Sequence, residues 1–150
     1  MIAAFGADGN LPPGKHWAEW AEIIIRFGGS AHRQRLLSGL YRALRQFKAS
    51  GCQVLYLDGS FVTAAKHPND YDACYDVVKV DPGALDRDLV DFSDFRGTRA
   101  RQKAKFFGEF FPAQMREGAT GKTFVDFFQV DRNTGLPKGI IALDLRSWQP

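Results

Sequence analysis

The apolar run Val54-Leu55-Tyr56-Leu57, closed by Asp58-Gly59-Ser60, sets the terms for the whole chain. A short β-prone run that stops at a glycine reads as a buried strand. A strand is not stable alone; it needs partners in a sheet and an apolar layer against that sheet. The segments before it are helical in pattern. Residues 16–27 place Trp17, Trp20, Ile23, Ile24 and Phe27 on one stripe, and Gly28-Gly29 ends the period. Ser30 is placed to cap a second helix over 31–49, with Leu36, Leu37, Leu40, Tyr41, Leu44 and Phe47 on its stripe and Gly51 as its stop. Residues 1–15, rich in glycine and proline, read as an extended arm.

After the strand the pattern changes. Tyr71 to Val80 is a second β-prone run, broken by Pro82-Gly83. Residues 83–91 read as a short helix and 95–111 as a longer one, with Phe106, Phe107, Phe110 and Phe111 as core. Thr123 to Val130 alternates and reads as a strand. Asn133-Thr134-Gly135 is a turn signal, and Ile140 to Leu145 reads as its hairpin partner. These elements predict one α/β (α+β) domain over 1–150, with N-terminal helices packed on a small mixed sheet.

Composition narrows the class. The 150 residues are 45% hydrophobic and 25% charged, which excludes a disordered or fibrous chain. No apolar run is long enough to span a membrane, and the N-terminus lacks the pattern of a secretory signal. Two cysteines are too few for a disulfide framework, so Cys52 and Cys74 read as buried free thiols and the expected compartment is the cytoplasm. The formal charge of +3 is compatible with a phosphate-bearing ligand.

Chemistry concentrates at Gly59-Ser60 and Asp70-Tyr71-Asp72. A strand ending in Gly-Ser turns tightly and presents N–H groups and a small hydroxyl to a phosphate. Asp70 and Asp72, two residues apart in an extended segment, project to the same face. Paired carboxylates are hard oxygen ligands of the kind that hold Mg²⁺ together with substrate phosphates, and Mn²⁺ suits the same donors. Asp126, embedded in Phe124-Val125-Asp126-Phe127-Phe128, is a candidate third acid, because a carboxylate among aromatics needs a charged or metal partner. The other reading of Asp126 is a solvent-facing residue on an edge strand.

This combination, Gly59-Ser60, then Asp70-Tyr71-Asp72, then an acid on a later strand, resembles the nucleotidyltransferase superfamily of DNA polymerase beta type. Its small bacterial members are the minimal nucleotidyltransferases, some of them toxin–antitoxin components. The longer stretch from Leu11-Pro12-Pro13-Gly14 through Asp58-Gly59-Ser60-Phe61-Val62-Thr63 to Pro137-Lys138-Gly139-Ile140 is similar to a bacterial family described as nucleotidyltransferase-like. The resemblance implies the polymerase-beta-type fold. It implies that Gly59 and Ser60 hold nucleotide phosphates and that Asp70, Asp72 and Asp126 are the catalytic, metal-binding acids. It implies transfer of a nucleoside monophosphate from a triphosphate such as ATP to a protein or RNA hydroxyl, with a cognate toxin or antitoxin protein as a partner. The chain departs from the pattern in two places. Val62-Thr63-Ala64 stands where many members carry Arg-Gly, and Asn69 where many carry Ser. The alternative is a catalytically inactive protein that uses the fold to bind a partner.

Other features have plainer readings. Gly121-Lys122-Thr123 lacks the first glycine of a phosphate loop, since Arg116 stands there, and a β-prone run follows it. The basic residues Arg96, Arg99, Arg101, Lys103 and Lys105 read as a solvated helix face pairing with the acidic stretch Asp81 to Asp94. The rival reading is a nucleic-acid groove. His16, His32 and His67 form no zinc spacing.

Overall fold

A computed structural model describes residues 1–150. Its centre is a five-stranded mixed sheet in the order β1-β5-β2-β3-β4. The strands are β1 (Gly14–Trp17), β2 (Val54–Asp58), β3 (Tyr71–Tyr75), β4 (Gly108–Pro112) and β5 (Gly139–Asp144). Strand β2 is antiparallel to both β3 and β5, while β1 runs parallel to β5 and β4 parallel to β3. The helices are α1 (Trp20–Phe27), α2 (Ala31–Ala49), α3 (Phe95–Phe106) and the single turn α4 (Phe124–Phe127). The expected mixed α+β sheet is therefore present.

The two faces of the sheet do different work. One carries Leu55, Leu57, Tyr71, Ala73, Tyr75 and Phe110 into a core of 26 buried residues. Ile23 and Phe27 of α1 and the α2 stripe from Leu36 to Phe47 close over it. Each of the buried leucine, isoleucine and phenylalanine side chains contributes about 1.5–3 kcal/mol by leaving water. The Ser30 hydroxyl accepts from the Arg33 N–H and fixes the start of α2, as expected of a cap. The opposite face carries Asp58, Asp72, Cys74, Glu109 and Phe111, because residues paired across neighbouring strands share a face.

Five sequence expectations are corrected. Residues 16 and 17 are not helical; they finish β1, whose backbone bonds to β5 outweigh the helical period that Trp17 suggested. Trp17 lies on this edge, half-exposed, rather than in helix packing. The helix expected over 95–111 ends at Phe106. Phe107 takes a left-handed conformation at φ 67°, and Gly108 opens β4. The strand expected over 123–130 is the helical turn α4. Residues 140–145 pair with β1 and β2 in mid-sheet instead of forming a hairpin with 123–130. Two 3₁₀ turns at 82–84 and 87–89 replace the short helix expected over 83–91. Cys52 and Cys74 are free and buried, as expected.

Candidate functional site

Strand β2 delivers the chain to Gly59 in a conformation that β-carbons exclude. Its φ of 78° and ψ of −168° lie in a region used almost only by glycine. A β-carbon built there would stand 2.5 Å from Oδ2 of Asp72. The Gly59 turn and the Asp72 carboxyl, thirteen residues apart in sequence, are thus in direct contact. Ser60 begins a short 3₁₀ turn, is exposed, and its hydroxyl makes no hydrogen bond within the chain. The Gly-Ser turn and the second carboxylate are brought together as the sequence suggested.

The loop that follows is held from α2. The buried Arg33 guanidinium donates to the carbonyls of Phe27 at 3.2 Å, Phe61 at 2.7 Å, Thr63 at 3.2 Å and Ala65 at 2.6 Å. It also lies over the Phe61 ring at 5.0 Å. His32 stacks on His67 with centroids 3.8 Å apart and hydrogen-bonds the Pro68 carbonyl. An arginine from the preceding helix therefore shapes the segment between Ser60 and Asp70. Arg33→Ala is expected to cost about 3 kcal/mol, since it leaves several carbonyls without their donor. Urea unfolding measures this directly; an unchanged midpoint would contradict it.

Around Asp72 the carboxylates gather. Asp58 faces it across the β2–β3 pair, and Glu109 faces it across the β3–β4 pair. Asp70 stands just before β3 on the same side. Burial pushes the Asp72 carboxyl up to about 7; Asp70 and Glu109 add to the rise, and Lys103 and Lys138 oppose it. Asp58 is fully buried, and burial followed by the charge of Asp72 drives its carboxyl well above the usual range. Its Oδ2 accepts from the Cys74 thiol at 3.7 Å, while its Oδ1 has no partner. A buried carboxyl without its full set of partners is costly and holds its proton.

Cations come from α3. Lys103 Nζ lies 3.3 Å from Asp70 and 2.9 Å from Glu109. Arg99 grips Glu109 with two bonds, at 3.0 and 3.2 Å. Farther along, Arg101 pairs with Asp88 at 2.8 Å, and Lys105 with Asp86 at 3.0 Å and Asp88 at 2.6 Å. Arg101 and Lys105 thus pair with the acidic stretch, as the charge pattern suggested, while Arg99 and Lys103 turn to Glu109 and Asp70 instead. What the pattern did not reveal is that Lys103 reaches the candidate site itself.

Asp126 is not the third acid of this cluster. It lies exposed on α4 and does not line the cavity beside Asp72. The helical turn spaces Phe124 into the small core and leaves Asp126 facing solvent, which removes the misfit a strand would have created. The acid set beside Asp72 is Glu109. The signal for it was present: Glu109 in Phe106-Phe107-Gly108-Glu109-Phe110-Phe111 is an acid among aromatics too. No three of the chain's His, Cys, Asp and Glu side chains close a metal cage by themselves.

Next to Asp72 and Glu109 opens a cavity of about 390 Å³, its apolar wall made of phenylalanines from β4, α3 and the α4 segment and the rest of its lining charged, with Arg99, Glu117 and Arg132 among it. No sequence feature announced it, because its walls come from segments far apart along the chain.

A family model described as a family of unknown function (DUF6932) matches residues 3–144. The chain belongs to this family. Neither the curated proteins nor the solved structures contain a match to it. No helix is long and apolar enough to cross a membrane.

Proposed function

We propose that this DUF6932 chain is a Mg²⁺-dependent nucleotidyltransferase, passing a nucleoside monophosphate from a nucleoside triphosphate to a protein or RNA hydroxyl. One observation carries the reading: the glycine-only turn at Gly59 lies against Asp72, whose carboxyl is crowded by Asp58, Asp70 and Glu109. Crowded hard-oxygen donors favour a divalent cation, and Mg²⁺ is typically held by one or two carboxylates with substrate phosphates completing its shell. The donor set fits on that count, with Asp70 and Asp72 as the holding pair. When bound, such an ion neutralises the triphosphate and polarises the phosphorus under attack.

The chain's own residues have separate tasks in this reading. The free Ser60 hydroxyl donates to a phosphate oxygen. Gly59 lets the backbone approach that phosphate closely. Asp72, its carboxyl raised by burial and by its acidic neighbours, gives up its proton as the cation binds and holds the ion together with Asp70. Asp58 keeps its proton beneath it and limits the local charge.

A second reading rests on Lys103. Its ammonium already bridges Asp70 and Glu109, which is what a resident cation would do. In that case the site is a structural ion network and the protein binds a partner, such as a cognate toxin or antitoxin, without catalysis.

Thermal shift separates the two. With Mg²⁺ and a nucleoside triphosphate at 100 times its dissociation constant, the native state gains about 2.7 kcal/mol. That is a rise of roughly 5–10 °C for a domain of this size. The rise is expected in the wild type and absent in Asp70→Ala/Asp72→Ala. No rise with any of the four ribonucleotides would favour the structural network.

A further inference from the structure

We propose that the phenylalanine-walled cavity beside Asp72 seats the purine base of the bound nucleotide. This rests on the metal–triphosphate reading of Asp70 and Asp72 and names the substrate class of that site.

The cavity's size and shape suit such a ligand. About 390 Å³ lies at the small end of ligand pockets, enough for a nucleoside and too little for a folded peptide segment. Phe111 and Phe124, stacked 4.2 Å apart and inclined by only 11°, form its inner wall. Phe95 and Phe127 stand beside them, with centroids 6.1 Å from Phe111 and 6.3 Å from Phe124. Phe95 is 38% exposed. Apolar rings left open to water around a concavity mark a ligand site more often than a packing defect.

The polar groups at the mouth decide against a purely apolar occupant. Arg132 and Glu117 line the same cavity, and an aliphatic occupant would set the Arg132 guanidinium against an apolar surface with no acceptor. Arg132 makes no hydrogen bond or ion pair with any residue of the chain. Glu117 Oε1 accepts only the Ala119 N–H, at 2.9 Å, so it retains acceptor capacity. A donor fork and a free carboxylate lone pair, side by side, match the acceptor and donor groups on a base edge. Purines offer the larger face to the rings, and base–aromatic stacking grows with that overlap. The other end of the cavity is Asp72 and Glu109, so a base among the rings points its sugar and phosphates toward the Gly59 turn.

Calorimetric titration with Mg²⁺ present tests this. GTP, ATP, UTP and inorganic tripolyphosphate are titrated into wild type, Phe127→Ala and Arg132→Gln; both substituted residues are at the rim and outside the main core. The purine triphosphates are expected to bind at least about tenfold more tightly than tripolyphosphate or UTP. Each variant is expected to lose about tenfold for the purines and nothing for tripolyphosphate, since stacking contributes about that factor per base. Equal affinity for all four compounds, or purine binding indifferent to both variants, overturns the base seat and leaves the metal–triphosphate site standing. Absence of binding by every compound, tripolyphosphate included, overturns both.

Discussion

Asp72→Asn is expected to stabilise the folded chain at pH 8 by up to about 4 kcal/mol and to leave it nearly unchanged at pH 4. The Asp72 carboxyl is held near 7, above the 3.8 of an unhindered aspartate, first by burial and then by the charges of Asp70 and Glu109. Each pKa unit is worth about 1.4 kcal/mol. Between pH 4 and pH 7 the unfolded chain releases this proton while the folded chain keeps it. The folded state then binds more protons, so stability falls as pH rises through that window. An asparagine never ionises and escapes the loss. Urea unfolding of both proteins at both pH values measures it. A stabilisation of equal size at pH 4 and pH 8, or a destabilisation at pH 8, would show that Asp72 is not crowded as described.

Gly59→Ala is the second large effect, and its sign is opposite. At φ 78° and ψ −168° a side chain is strained by about 1–3 kcal/mol. The added methyl also meets the Asp72 carboxyl at 2.5 Å, so one of the two must move. A loss of about 3 kcal/mol corresponds to a melting point lower by roughly 6–12 °C in a domain of this size. Displacing Asp72 should also remove the Mg²⁺–nucleotide shift in the population that still folds. An alanine variant that melts with the wild type would mean that the turn is relaxed and Asp72 stands elsewhere.

The segments that declared themselves in the sequence were those with local causes. The Ser30 cap and the leucine stripe of α2 are set by residues within one helix. The run from Val54 to Gly59 and the pair Asp70 and Asp72 are likewise visible over a few positions, and the structure sets Asp72 against the Gly59 turn. The misread segments depended on distant partners. Trp17 fits a helical period, yet β5 recruits its strand from the far end of the chain. Residues 107–111 continue the helical pattern of α3, and only the left-handed break at Phe107 and pairing with β3 make them β4. Reading them as helix hid the position of Glu109 beside Asp72 and drew attention to Asp126 instead. The burial of Asp58 was hidden because its neighbours, Asp72 and Cys74, come from β3 rather than from its own strand. Lys103 looked like surface charge because its partners, Asp70 and Glu109, lie across the fold.

The most direct test of the metal–triphosphate site is paramagnetic. Mn²⁺ added with a non-hydrolysable triphosphate broadens amide signals nearest the ion. The account predicts the strongest broadening at Gly59, Ser60 and Asp72, and its loss in Asp70→Ala/Asp72→Ala. Broadening centred on another part of the chain, or equally strong in the double variant, would contradict it.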